Sequence, residues 1–313
     1  MAPSFLEIVD KIDSFPYYAN DPVAYKEFMK DYFYFTIDGY SKPLGYVHHS
    51  IIERVDWPDY WTIDSEARTL HLCVPNGPNA FEERSKLVDA TIWIAQKQRK
   101  IPELGWRGDA APVYTPEGEH VFNMNDVGSQ LFGIISFGVH LIAWETTAQG
   151  RQYWLQRRSM KKRMHPGKLD TMAGGGLKLG EKPLDAMARE TFEEANIPTE
   201  FSLSHLKPCG VISYHLDYSF LNNPLSIPHV LHVFEMELPA DLIPNPNDGE
   251  VSSFLSMSEA EVIDALFKDD FKPIVGIQWV AHFCRNGILN PENEPKFLEI
   301  SSRVHRNLAT FVV

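Results

Sequence analysis

Gly174–Ile197, GGGLKLGEKPLDAMARETFEEANI, is the stretch that decides the fold. Its leading glycines allow backbone dihedrals and close approaches that a side chain forbids. Pro183 then stands where a helix would begin, because its fixed φ and missing N–H suit the first helical position. At about 100° per residue, Leu184, Met187, Ala188, Thr191, Phe192 and Ala195 share one face, the one expected to be buried. Glu190, Glu193 and Glu194 are expected on the other. Carboxylates spaced i, i+3 and i, i+4 destabilise a helix, and near its C-terminal end they also oppose the macrodipole. Positive charge is therefore expected beside them, and Arg189, at i, i+4 from Glu193, supplies only part of it. Three converging carboxylates and a backbone carbonyl from the glycine turn make a hard oxygen donor set suited to Mg²⁺ or Mn²⁺.

The spacing fixes the identities of Gly175, Glu181, Arg189, Glu190, Glu193 and Glu194. At roughly one in fifteen per identity, chance repeats it in on the order of one window in ten million, which sets aside an ordinary solvated acidic face. The pattern resembles the Nudix box, G-x5-E-x7-R-E-U-x-E-E-x-G-U, with U a bulky aliphatic residue. Thr191 replaces one bulky position, and Asn196 replaces the last glycine with the next best residue for a left-handed helix end. Lys182 stands where Ser or Thr would cap the helix, a loss of about 1 kcal/mol. The resemblance implies an α/β/α sandwich with the box as strand, loop and helix. It also implies metal-dependent hydrolysis of a diphosphate linked to another moiety. Glu190 and Glu194 would be the main metal ligands, grouped with Glu181 and the Gly174 carbonyl, while Gly175 and Arg189 would be structural. The catalytic candidates are Glu193, as further ligand or base, and Glu250, whose Asp248-Gly249-Glu250-Val251 setting is similar to the later loop carboxylate of many members.

Flanking segments extend the resemblance: Trp106-Arg107, Pro112 to Tyr114, Leu131 to Gly133, Gly138 to His140, Arg157 to Ser159, Pro166-Gly167, Leu169-Asp170 and Glu292 to Pro295. Together they look like the fungal and plant thiamin-pyrophosphokinase-related Nudix branch. That branch implies cleavage of a thiamin-diphosphate-like compound, oxidised or damaged, to its monophosphate and inorganic phosphate. An ADP-ribose-type substrate and a non-catalytic ligand sensor are the alternatives. Arg157, Arg158, Lys161, Lys162, Arg163 and Lys168 cluster just ahead of the box, in a chain with 29 basic residues in all. Guanidinium groups suit phosphate oxygens, so Arg158 and then Arg157 are the substrate-binding candidates.

At 313 residues the chain has room for about two domains. Its net charge of −13 speaks against nucleic acid as a partner, and the Nudix resemblance implies a small-molecule diphosphate as substrate. Cys73, Cys209 and Cys284 lie too far apart for a disulfide framework or a zinc site and read as thiols of a reducing compartment. The near-apolar run Leu131–Trp144 is too short to span a bilayer, and no targeting pattern opens the chain, so a cytoplasmic protein is expected. A homodimer is left open. The fold class expected is α/β, a Nudix sandwich (126–313) preceded by a smaller α+β domain (1–125), with the Pro- and Gly-containing stretch Tyr114–Ser129 as the boundary. Asp21-Pro22 predicts a helix burying Tyr25, Phe28, Met29 and Tyr32, and Ala80–Gln98 predicts a second. Strands are expected at Thr69–Val74, Leu131–Trp144, Tyr153–Gln156, Pro208–His215 and His229–Leu238. Later helices are expected at Ser258–Phe267, Ile274–Asn286 and Pro295–Ala309.

Overall fold

Residues 4–101, 110–218 and 225–308 are described by the structure, a computed structural model. Trp106 and Arg107 lie outside the described residues, as does Ala309. In chain order, α1 (Phe5–Ile12) and α2 (Pro22–Phe28) precede β1 (Tyr32–Ile37), β2 (Gly45–His48), α3 (His49–Arg54), β3 (Trp61–Asp64), β4 (Thr69–Leu72), α4 (Ala80–Lys97), β5 (Ala110–Tyr114), β6 (His120–Asn125) and α5 (Asp126–Leu131). After these come β7 (Ser136–Thr147), β8 (Gly150–Arg158), β9 (Leu169–Asp170), β10 (Ala173–Gly176), α6 (Pro183–Ala195), α7 (Thr199–His205), β11 (Lys207–Asp217), β12 (Ser226–Glu237), β13 (Val251–Ser258), α8 (Glu259–Phe267), α9 (Pro273–Arg285) and α10 (Phe297–Arg303). The mixed α/β class is the one the sequence predicts.

The described residues divide into two compact units, one of 14–101, 110–136, 215–218, 225–229 and 307–308, the other of 4–13, 137–214 and 230–306. This is not a single cut near residue 125. Helix α1 groups with the later residues because Phe5 packs on Phe267 and Phe283, with ring centroids 5.0 and 6.0 Å away. Gly276 of α9 leaves room for Ile8, since a Cβ there would lie 2.6 Å from its Cγ2. Tyr114–Ser129, the stretch expected as the boundary, is folded. It carries the β5–β6 hairpin and the start of α5, and it buries Val121, Phe122, Met124 and Val127.

In the unit of residues 14–136, a four-stranded sheet runs β2-β1-β4-β3, with β1 and β4 parallel and its other pairs antiparallel. Asp21 caps α2 through Val23 and Ala24 N–H, with Pro22 at its first position. The helix stops at Phe28, so Tyr32 sits on a strand and not on the predicted helix face. It still joins Phe15, Tyr25, Met29 and Tyr46 in one aromatic cluster, because a short 3₁₀ turn carries the chain between them.

The other unit is built on a sheet of order β11-β12-β7-β8-β13, with β10 on β7 and β9 on β8. The predicted strand at Leu131 begins later, at Ser136, because α5 runs to Leu131 and Gly133, at φ +58°, turns the chain. Alternation along β7 and β8 separates two faces. Val139, Leu141, Ala143 and Trp154 pack with Ala186, Met187, Ala188 and Ala195 of α6. From the opposite face, Tyr153 meets Trp279 of α9 edge-on at 5.1 Å. This is helix, sheet, helix. The last predicted helix is shorter than expected, spanning only Phe297–Arg303.

Candidate active site

Helix α6 begins at Pro183 with Lys182 at its N-cap making no side-chain cap bond, and Asn196 closes it in the left-handed conformation at φ 55°, ψ 30°. Both outcomes follow the sequence. Its buried face differs. Thr191 is fully buried and donates to the Met187 carbonyl at 2.6 Å, whereas Phe192 is 45% exposed. Glu194, expected on the open face, is only 5% exposed. The helix has rotated its carboxylate edge toward β10, where glycines leave room for it.

Strand β10 lies antiparallel on β7 with Gly174 opposite His140 and Gly175 opposite Val139. A Cβ on Gly174 would come within 2.7 Å of the His140 ring, and one on Gly175 within 2.1 Å of Glu190 Oε1. The motif glycine is required because the Glu190 carboxylate lies flat against the strand. Glu194 Oε2 accepts both the Gly174 N–H, at 2.8 Å, and Gln156 Nε2, at 3.1 Å. Burial pushes the Glu194 carboxyl well above the ordinary range; Asp170, Glu190 and Asp248 push the same way, against the Gly174 N–H. Glu190 is raised too, by burial, despite its bond to Arg189.

Arg189 organises the rest. Its Nε and Nη2 donate to the two Glu181 oxygens at 2.7 and 2.9 Å, and its Nη1 to Glu190 at 2.7 Å and Glu193 at 3.0 Å. Arg189 bonding holds the Glu181 carboxyl below its usual range. With both oxygens engaged, Glu181 anchors Arg189. Glu193 stays 43% exposed at the rim.

The basic segment departs further from expectation. Arg158 is buried and donates to Asp170 at 2.9 Å and to the Met164 and His165 carbonyls. Arg157 donates to both Asp270 oxygens and to the Gly167 carbonyl. Both guanidiniums thus hold the loop between β8 and β9. Glu250 is half exposed and ion-paired with Lys162, and Asp248 accepts its N–H at 2.8 Å. The charge of Asp248, two residues before Glu250, raises the Glu194 carboxyl.

Sequence reasoning missed Gln156, Asp170, Lys272 and Asp248. Buried Asp170 is held below its usual range: burial raises it, but the charges of Lys272, His140 and Arg158 and the Thr171 N–H outweigh that. Lys272 Nζ lies 3.3 Å from it. A signal for Gln156 existed, since it follows Trp154 by two and precedes Arg158 by two on one strand face.

Residues 137–279 match the NUDIX domain family. The Saccharomyces cerevisiae protein YJR142W, itself uncharacterized, is 30% identical over 97% of this chain and 91% of its own length. Nudix hydrolase 24, chloroplastic, of Arabidopsis thaliana is 27% identical over 83% of this chain and 70% of its own. The chain belongs to the Nudix hydrolase family. Among solved structures, this chain is similar to DR0079 from Deinococcus radiodurans, at 17% identity and a TM-score of 0.40 over 63% of this chain and 100% of that one.

The Nudix carboxylates here have the chemistry a divalent cation needs. Among the described residues no three His, Cys, Asp or Glu side chains are gathered in a metal-holding group, and Arg189 bonds both Glu190 and Glu193. The donors nonetheless fit a hard cation. Glu194 is buried among three other carboxylate charges with only neutral hydrogen-bond donors on it, and all the oxygens nearby are hard. No helix among the described residues is long and apolar enough to cross a membrane.

Proposed function

We propose that this Nudix hydrolase cleaves a thiamin-diphosphate-like compound, oxidised or damaged, to the monophosphate and inorganic phosphate. The single observation that carries the catalytic part is the pairing of Glu190 and Glu194 across Gly174-Gly175. One carboxylate is buried and fixed by the strand, and the other lies against it. Glu190, Glu194 and the Gly174 carbonyl would hold Mg²⁺ or Mn²⁺, which supplies charge neutralisation for the diphosphate and acidifies a bound water. Glu193, at the rim and within reach of Arg189, serves as the base that takes the proton of the attacking water. Arg189 stores positive charge among Glu181, Glu190 and Glu193 and keeps them from repelling one another. Asp248 deepens the negative field at Glu194. The substrate class rests on the flanking segments resembling the thiamin-related branch. Free Cys73, Cys209 and Cys284 accord with a reducing, cytoplasmic compartment.

The test is phosphate release from thiamin diphosphate, its oxidised analogues, ADP-ribose and a dinucleoside polyphosphate, with Mg²⁺ and then with EDTA. Release from thiamin compounds alone, abolished by EDTA and by Glu194→Gln, is the expected result. AMP from ADP-ribose with inert thiamin compounds would move the substrate to nucleoside diphosphates, and tight metal-independent ligand binding without turnover would make the chain a sensor.

A further inference from the structure

Gln156 is 2% exposed, lies on β8 opposite Asp170 of β9, and spends its amide on a single partner atom, Glu194 Oε2. The Gly174 N–H donates to that same oxygen. Two donors converging on Oε2 fix the carboxylate's rotation about its last bond and leave Oε1 as the oxygen without a donor from either strand. A buried carboxylate held from both β10 and β8 rotates less freely than one held by a single N–H. Burying an amide costs free energy unless it is hydrogen-bonded, and an apolar residue packing beside Trp154 would fill the position without that requirement. The amide therefore has a task that packing alone does not set.

Resting on the metal reading of Glu194 above, we infer that Gln156 is the positioning residue of this site: it orients Glu194 so that Oε1 faces the cation. It touches neither substrate nor metal and acts only through Glu194. Loss of such an outer partner typically lowers metal affinity about 10- to 100-fold.

The experiment is calorimetric titration of Mn²⁺ into the full chain, for wild type, Gln156→Met, Gln156→Asn and Glu194→Gln, with thermal melts in EDTA and with kcat and KM measured on whichever diphosphate is turned over. Methionine keeps the volume without the donor, while asparagine keeps the amide one carbon short of Glu194, so that one variant remains informative if the other does not fold. Expected are a 10- to 100-fold weaker Mn²⁺ affinity and a lower kcat at unchanged KM in both, with melting within a few degrees of wild type. Mn²⁺ affinity within twofold of wild type in a folded Gln156 variant, with Glu194→Gln strongly impaired, would overturn the role of Gln156 and leave the metal site standing. Wild-type affinity in Glu194→Gln would overturn both.

Discussion

Two buried glutamates of the Nudix unit, Glu194 and Glu235, face opposite fates. Glu235 accepts from His282 Nδ1 and Arg285 Nη2 on the same oxygen, each at 2.7 Å, and Tyr153 Oη closes the network at 3.1 Å from His282 Nε2. Burial alone would raise its carboxyl, but those two partners pull it down to about 2. Glu194 is buried as deeply, yet its donors are a backbone amide and Gln156, and its carboxyl is pushed up. A buried carboxylate given cations by the chain is part of the frame. One denied them is a place where a cation from outside is worth most.

The comparison breaks first at Glu194. Glu194→Gln should lower kcat/KM by about 10³-fold, equivalent to about 4 kcal/mol of transition-state stabilisation. The same change should raise the melting temperature in EDTA at pH 7. A carboxyl whose folded-state pKa is raised stabilises the fold fully only below its unfolded pKa, and loses that contribution as pH climbs through the folded one. Glutamine never acquires the charge.

Glu235→Gln should do the reverse, destabilising the fold by about 3 kcal/mol in urea unfolding at neutral pH while leaving kcat near wild type. The sign with pH also inverts. Glu235's contribution is present above the unfolded carboxyl pKa and disappears as pH falls through that value toward about 2, so wild-type stability should fall across this acid window and the variant's should fall less. Equal pH profiles would show that the network does not carry that stability.

Gly175→Ala sharpens the contrast from the strand side. Its Cβ would meet Glu190 Oε1 at 2.1 Å, so Glu190 must leave the strand. A loss of about 10²-fold in kcat/KM, the scale of a misplaced catalytic group, is expected with circular dichroism unchanged. Smallest is Lys182→Ser, which adds the missing N-cap to α6 and should stabilise by about 1 kcal/mol without altering turnover.

The box was legible because its constraints are local: Gly175 to Glu194 fall within one turn and one helix, and Pro183 and Asn196 mark that helix's ends in sequence. Partners distant in sequence were not. Arg157 and Arg158 pair with Asp270 and Asp170, brought beside them by β9 and the segment before α9, which their spacing could not show. The helix face was misjudged at Phe192 and Glu194 because periodicity assumes that hydrophobic residues alone seek the sheet. Here a strand of glycines offers an N–H and an open space, and a carboxylate takes it. Tyr32 shows the converse: its burial was foreseen and its element was not, since an aromatic cluster can be completed from a helix or a strand.

The most direct test of the central claim is Mn²⁺ binding by calorimetry to wild type and Glu194→Gln at one pH. Tight binding by wild type, weakened at least a hundredfold by the substitution, is the predicted result. Equal affinity in the two proteins, both folded, would contradict it.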